Sequence, residues 1–197
     1  FDSERITLVN AGKAGRSART FLDEGRWEKV YNALRPGDFV VIQFGHNDFG
    51  EISTGRARAD LPNTSDDTEI HFMPNHKYQV IRSYGWYLRK FIDEVREKGA
   101  TPILVSCTPR NEWPEGKIER REFFIRLAEE VRSQTGVDFV DMLKISADYY
   151  DSIGREATAA YFKNDHTHSS KLGALRNARS FGEGLRQSRH PLSEYLK

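Results

Sequence analysis

Short apolar runs alternate along this chain with longer segments in which apolar residues recur every three or four positions. That is the pattern of strands and helices wound into a mostly parallel sheet. Residues 6–10 (Ile-Thr-Leu-Val-Asn) read as a buried strand, and Ala11-Gly-Lys-Ala-Gly15 as the loop leaving its carboxyl end. A helix is predicted over 20–34, burying Phe21, Trp27, Val30 and Leu34 and stopping at Arg35-Pro-Gly-Asp38. The next strand, 39–44, is apolar almost throughout, as expected of a strand covered on both faces. Residues 49–77 are polar and rich in Gly, Pro, Ser, Thr and Asp, which predicts a long irregular surface insertion just after a strand end. Val80, Ile81, Tyr84, Tyr87, Leu88, Phe91, Ile92 and Val95 then recur at helical spacing up to Gly99. A third strand is expected at 102–106, a Pro-containing loop at 108–116, a charged amphipathic helix at 119–134 and a short fourth strand at 137–140. Helical segments at 144–152 and 172–186 close the chain.

At 197 residues the chain has room for one domain with a substantial core, and a single domain over 1–197 is expected. Lys and Arg (30) nearly balance Asp and Glu (29), and the basic residues are scattered, which argues against a nucleic-acid partner. Cys107 is the only cysteine, so an intrachain disulfide is excluded and no cysteine metal cluster exists. No apolar run approaches the ~20 residues of a membrane span, and no membrane association is expected. The N-terminus shows no charged-then-apolar signal pattern.

In open α/β sheets ligands bind beyond the carboxyl ends of the strands, and three places there carry chemistry. After the first predicted strand, Gly15 is either a turn glycine or a backbone N–H facing a developing oxyanion. After the second, Gly45-His-Asn47-Asp48 sets Asn47 either as a polar loop cap or as a side-chain donor to the same oxyanion. Near the C-terminus, Asp165-His166-Thr-His168 admits three readings. Asp165 orients His168 as a general base, or Asp165 and the two histidines ligate a metal, or Asp165 caps the last helix. Arg110 and Asn111, in the loop after the third strand, are candidates to meet an anionic substrate group or are simply solvated. His71 and His76 lie in the long insertion, and Trp86 and Tyr87 share the buried face of the helix that follows.

The order Gly15, Gly45-x-Asn47-Asp48, Asp165-x-x-His168 resembles the second, third and fifth blocks of the SGNH (GDSL-like) hydrolases. The segments 10–21, 84–90, 108–111 and 164–168 are similar to the rhamnogalacturonan acetylesterase branch of that family, so the resemblance covers nearly the whole chain. It implies a three-layer α/β/α sandwich and a serine esterase that removes acetyl groups from pectic polysaccharide. Gly15 and Asn47 would be oxyanion donors, and His168, oriented by Asp165, the general base and then acid. No metal or organic cofactor is implied. The implied partner is an acetylated polysaccharide or oligosaccharide, the expected state a monomer and the expected location secreted or periplasmic.

One family block has no counterpart. The Gly-Asp-Ser block, which supplies the nucleophile, follows a strand that lies one strand and one helix ahead of the segment starting at Arg5. Phe1-Asp2-Ser3 imitates it, but Ser3 precedes a predicted strand where the nucleophile must follow one. Ser17 and Ser106 also miss the nucleophile position. The sequence is therefore expected to be N-terminally incomplete, with the nucleophile and first strand upstream. The alternatives are an inactive carbohydrate-binding relative and an acetylesterase acting on xylan or another glycan.

Overall fold

A computed structural model describes all of residues 1–197. The chain divides into two compact units, residues 8–105 with 126–139, and residues 1–7 with 106–125 and 140–197.

The first of these units begins with two short helices, α1 (Ala18–Asp23) and α2 (Arg26–Ala33), where one continuous helix was expected. Gly25, at φ +65°, breaks them apart in the left-handed region that glycine occupies without a Cβ clash. Ser17 starts α1 with a reciprocal cap: its hydroxyl accepts from Thr20 N–H, and the Thr20 hydroxyl accepts from Ser17 N–H. Next come β1 (Phe39–Ile42), β2 (Thr68–Phe72), β3 (Tyr78–Arg82), α3 (Tyr84–Glu97) and β4 (Thr101–Val105). The helix α4 (Glu122–Thr135) and the strand β5 (Asp138–Val140) complete it, each with one end in the other unit. The sheet order is β1-β4-β5, with β1 and β4 parallel and Ile42 opposite Leu104. The α/β class is as expected. Tyr87, Leu88, Phe91, Ile92 and Val95 of α3 form the centre of the core with Phe21, Trp27, Leu104, Leu127 and Val131.

Two further expectations fail here. Residues 6–10 form no strand, and Leu8 and Val9 are 79% and 80% exposed. A strand needs a neighbour to take its backbone hydrogen bonds, and this segment has none. The supposedly irregular insertion contains the antiparallel hairpin β2–β3, with Ile70 opposite Val80 and Phe72 opposite Tyr78. Val80 and Ile81 accordingly belong to a strand, and α3 starts only after Ser83, whose hydroxyl accepts from Trp86 N–H. The preceding stretch is pinned to α3: a Cβ on Gly85 would lie 2.6 Å from Thr64 Cα, and the Arg89 guanidinium bonds Thr64 O and the Asp66 carboxylate.

In the other unit, α5 (Met142–Thr158) is capped by Asp141 and interrupted at Gly154, and α6 (Lys171–Gln187) is capped by Ser170. Tyr150, Ala147, Ile118 and Phe162 make its core, with Trp113, Tyr149 and Tyr161 packed around them. The close approach of α6 to Val140 depends on Gly184, where a Cβ would meet Val140 Cγ1 at 2.3 Å. The start of α4, later than predicted, follows from Glu119: it is buried, and its carboxylate accepts from Arg110 N–H and Arg121 Nε.

Candidate active site

Asp165 and His168 lie in a short loop between Phe162 and Ser169, which pair across it as an antiparallel bridge. Lys163 N–H donates to His168 O at 2.8 Å, and Asn111 N–H to His166 O at 2.7 Å, so the loop's path is fixed from two sides. One Asp165 oxygen accepts from Thr167 N–H and His168 N–H at 2.7 and 2.6 Å, while the other meets His168 Nδ1 at 2.9 Å. The backbone donors, His168 N–H first and Thr167 N–H next, hold this carboxyl well below the usual carboxylate range. An ionised carboxylate only accepts, so His168 Nδ1 carries the hydrogen and Nε2 is left with its lone pair. The His168 side chain is 65% exposed. An imidazole held this way can accept a proton at Nε2. The cap of α6 is Ser170, not Asp165, and the His166 imidazole faces Glu112 at 3.4 Å rather than the carboxylate that holds His168.

The oxyanion candidates lie in adjacent loops of the other unit. Gly15 sits at φ +76°, and the protein offers its exposed N–H no acceptor. Asn47 Nδ2 donates one hydrogen to Arg16 O at 3.1 Å, leaving a second available. The structure thereby brings the Gly15 and Asn47 loops together.

What holds those loops is an acid that the sequence named only within its motif. Asp48 is fully buried, and its carboxylate accepts from Ala18 N–H at 2.6 Å and Gly45 N–H at 2.7 Å, crosslinking the start of α1 to the turn after β1. Beside it lies buried Asp60, whose own N–H donates to Asp48 O at 2.7 Å. Burial pushes Asp48 up to about 6, against the pull of the backbone donors. Burial and then the Asp48 charge push Asp60 well above the usual carboxylate range. Asp60 is thus the acid whose charge the site disfavours more, and neither of its buried oxygens has a hydrogen-bond partner. The Arg19 guanidinium lies 3.8 Å from Asp60 Oδ1.

A carboxyl raised in the folded state adds stability that is complete below its ordinary value near 3.8 and is lost as pH climbs through the raised one. Asp60→Asn keeps the shape but cannot ionise. Its Tm should gain on the wild type as pH rises from about 4 through neutral. Thermal unfolding across that range checks this, and a constant difference would refute the raised carboxyl.

The remaining candidates have other employment. Ser17 is buried in its cap, Ser106 donates to Asp141 Oδ1 and accepts from Leu143 N–H, and Ser3 lies in an exposed turn. Asn111 Oδ1 is taken by Trp113 Nε1 at 2.8 Å, and Arg110 Nε is buried without a partner. The His71 ring bonds Glu69 at 2.7 Å, and His76 turns the β2–β3 hairpin at φ +60°. Tyr87 is buried, and Trp86 packs against the core beneath the Arg82 guanidinium. Asp60, Arg19 and Arg58 were missed. Asp60 carries one local signal, a lone acid between Ala59 and Leu61.

Residues 3–175 match the model of the GDSL-like lipase/acylhydrolase family. The chain is 33% identical over 174 residues to a rhamnogalacturonan acetylesterase of Emericella nidulans, covering 88% of this chain and 71% of that protein. It is 26% identical over 200 residues to YesY, a probable rhamnogalacturonan acetylesterase of Bacillus subtilis, covering 98% and 82%. Among solved structures, the Bacillus subtilis protein YxiM superposes with a TM-score of 0.76 at 22% identity over 96% of this chain, which spans only 48% of that one. Axe2, an acetylxylan esterase from Geobacillus stearothermophilus, superposes with a TM-score of 0.61 at 23% identity, covering 91% and 70%. These two likenesses show a shared fold.

Proposed function

Because this chain belongs to the GDSL-like lipase/acylhydrolase family, we propose that it is a serine acetylesterase that deacetylates pectic polysaccharide, with acetylated rhamnogalacturonan as its substrate. The observation that carries the chemistry is the bond between ionised Asp165 and His168 Nδ1, which leaves Nε2 as the proton acceptor. The 33% identity with a rhamnogalacturonan acetylesterase supports the substrate.

In this reading the nucleophile is the serine of the family's Gly-Asp-Ser block, and not Ser3, Ser17 or Ser106. Its Oγ forms a bond to the acetyl carbon while His168 Nε2 takes the hydroxyl proton. The carbonyl π pair moves onto oxygen, and the Gly15 N–H and Asn47 amide stabilise that charge, each such donor typically worth ~10²–10³ in turnover. On collapse the bond to the sugar oxygen breaks, and the proton on Nε2 passes to that oxygen. Water, deprotonated by the same nitrogen, then releases acetate and restores the serine. The Asp48 carboxylate keeps the Gly45 turn and α1 tied together, so the donors stand in place before the charge arises. Polymeric pectin lies outside the cell, and the same reading puts the enzyme there.

The test is the initial rate of acetate release by the full-length protein from acetylated rhamnogalacturonan and from acetylated xylan. A higher kcat/KM on the pectic substrate is expected. A preference for xylan would overturn the substrate assignment, and release from neither would overturn the esterase.

A further inference from the structure

Several arginines of this protein pair with acids. Arg16 bonds Glu24, Arg89 bonds Asp66, Arg120 bonds Asp148 and Asp151, and Arg176 bonds Glu183. Arg58 is different. It is half-buried, its single hydrogen bond runs from Nη1 to Gly15 O at 3.1 Å, and no carboxylate pairs with it. The guanidinium lies over the Gly15 α-carbon, where even a Cβ would be only 3.5 Å from Nη1. A planar guanidinium has five N–H donors, and the contact with Gly15 uses one. That contact restrains the side chain, so less freedom is lost when an anion docks on the remaining edge.

The surroundings are positive as well. Burial and then the charge of exposed Arg56, with a smaller effect from Arg16, all lower the proton affinity of Arg58; only the buried Asp48 acts the other way. Both Asp48 oxygens already accept backbone N–H groups. A half-buried cation that feels the charge of a second cation, without a carboxylate bonded to it, is a standing electrostatic cost that an incoming anion relieves. It stands on the same residue whose N–H is the proposed oxyanion donor.

We propose that Arg58, assisted by Arg56, forms a carboxylate subsite beside the Gly15 loop that binds the uronate group of the polysaccharide and selects acidic over neutral acetylated sugars. The proposal rests on the pectic reading of the site and sharpens it. The planar fork matches a carboxylate bidentately, whereas a neutral xylose or galactose unit has nothing to place there. Arg110, the sequence's candidate for this role, lies in the other unit, with its Nε buried and unpartnered.

Binding is the direct test, since it does not depend on turnover. Trigalacturonate and galactotriose, the same sugar without carboxylates, are titrated calorimetrically into the full-length protein and into Arg58→Gln and Arg58→Lys, with circular dichroism as the check on folding. Arg58→Gln should weaken trigalacturonate by about 10- to 100-fold, the range of a charge-assisted hydrogen-bonded pair. Arg58→Lys should fall between, and galactotriose should not distinguish the three proteins. On acetylated substrates Arg58→Gln should lower the pectic-over-xylan ratio of kcat/KM by a similar factor through KM. Unchanged trigalacturonate affinity, an equal loss for both sugars, or a loss confined to kcat would each overturn the subsite, the last by showing that Arg58 acts through the Gly15 loop. A wild type that prefers acetylated xylan yet loses trigalacturonate binding on Arg58→Gln would keep the subsite and overturn only the pectic substrate.

Discussion

His168→Ala should lower kcat on an acetylated oligosaccharide by about 10³-fold or more while leaving the circular dichroism spectrum native. The fold should survive because the His168 side chain is largely exposed and its only side-chain bond is to Asp165. The main-chain bond from Lys163 N–H to His168 O does not need the imidazole. Activity should not survive, because nothing else in the loop can take the proton: the His166 ring faces Glu112. His166→Ala is therefore the matched control, and its kcat should stay within a few-fold of wild type. Asp165→Asn should lose about 10³–10⁴-fold by a different route. Its amide oxygen can still accept from Thr167 and His168 N–H, but an NH₂ then faces Nδ1. That turns Nδ1 into the acceptor, places the hydrogen on Nε2 and removes the lone pair the reaction needs. Steady-state rates of the three variants at equal, spectroscopically checked folding decide the matter. Retained turnover in His168→Ala would remove the base assignment, and a His166→Ala loss as deep as that of His168→Ala would point to joint use of both imidazoles.

The contrast between Asp165 and Asp48 explains which parts of the site the sequence revealed. Asp165 and His168 are three residues apart, and a tight loop brings their side chains together whatever the rest of the chain does. The relation of Asp48 to Asp60 and Arg19 exists only after the segment 49–61 has folded back, and no local spacing encodes it. The oxyanion candidates fall between these cases. Gly15 was legible as a turn glycine after an apolar run and Asn47 as a polar residue after another, but their link through the Asn47 amide and Arg16 O needed the tertiary structure. Arg58 gave no signal at all, since a lone arginine in a polar segment looks like any solvated residue.

For the fold, the fully covered elements were the readable ones. The run at β4 and the spacing of Leu88, Phe91, Ile92 and Val95 in α3 are apolar because they are enclosed, so the pattern and the structure report the same physics, whereas in β1, expected to be covered on both faces, only Ile42 is buried and Val41 is 47% exposed. The hairpin β2–β3 was missed because Ile70, Phe72, Tyr78 and Val80 form a cross-strand cluster facing solvent, flanked by the turn-rich composition of a loop. Residues 6–10 were misread for the converse reason. Their composition is that of a strand, but propensity cannot supply the neighbour a strand must bond.

Arg19→Met should cost about 3–5 kcal/mol, the range for removing one partner from a buried charged group. Arg19 is 1% exposed, and its guanidinium is satisfied almost wholly by the segment that precedes the hairpin. Nε donates to Ala59 O at 3.1 Å and Nη2 to Ala57 O at 2.7 Å and Ile52 O at 3.3 Å, while Nη1 reaches Gln79 Oε1 at 3.3 Å. It is also the cation nearest the buried acid pair. Methionine fills the space of the stem but leaves three carbonyls unpaired and the pair without its counter-charge. Against a total of ~5–15 kcal/mol this is a large fraction, and at ~2–4 °C per kcal/mol for a chain of this size Tm should fall by about 10 °C. Lysine should not rescue it, because one ammonium cannot span carbonyls that a planar fork reaches together. The double variant Arg19→Met with Asp60→Asn separates the two causes. If counter-charge matters, removing the second acid restores part of the loss, whereas an additive result assigns the whole effect to the carbonyl bonds. A Tm within about 2 °C of wild type for Arg19→Met alone would sink both. The consequence reaches the site, because the carbonyls of Ala57 and Ala59 flank Arg58, and a segment released from Arg19 no longer holds that guanidinium over Gly15. Arg19→Met should therefore weaken trigalacturonate binding even at temperatures where the protein remains folded.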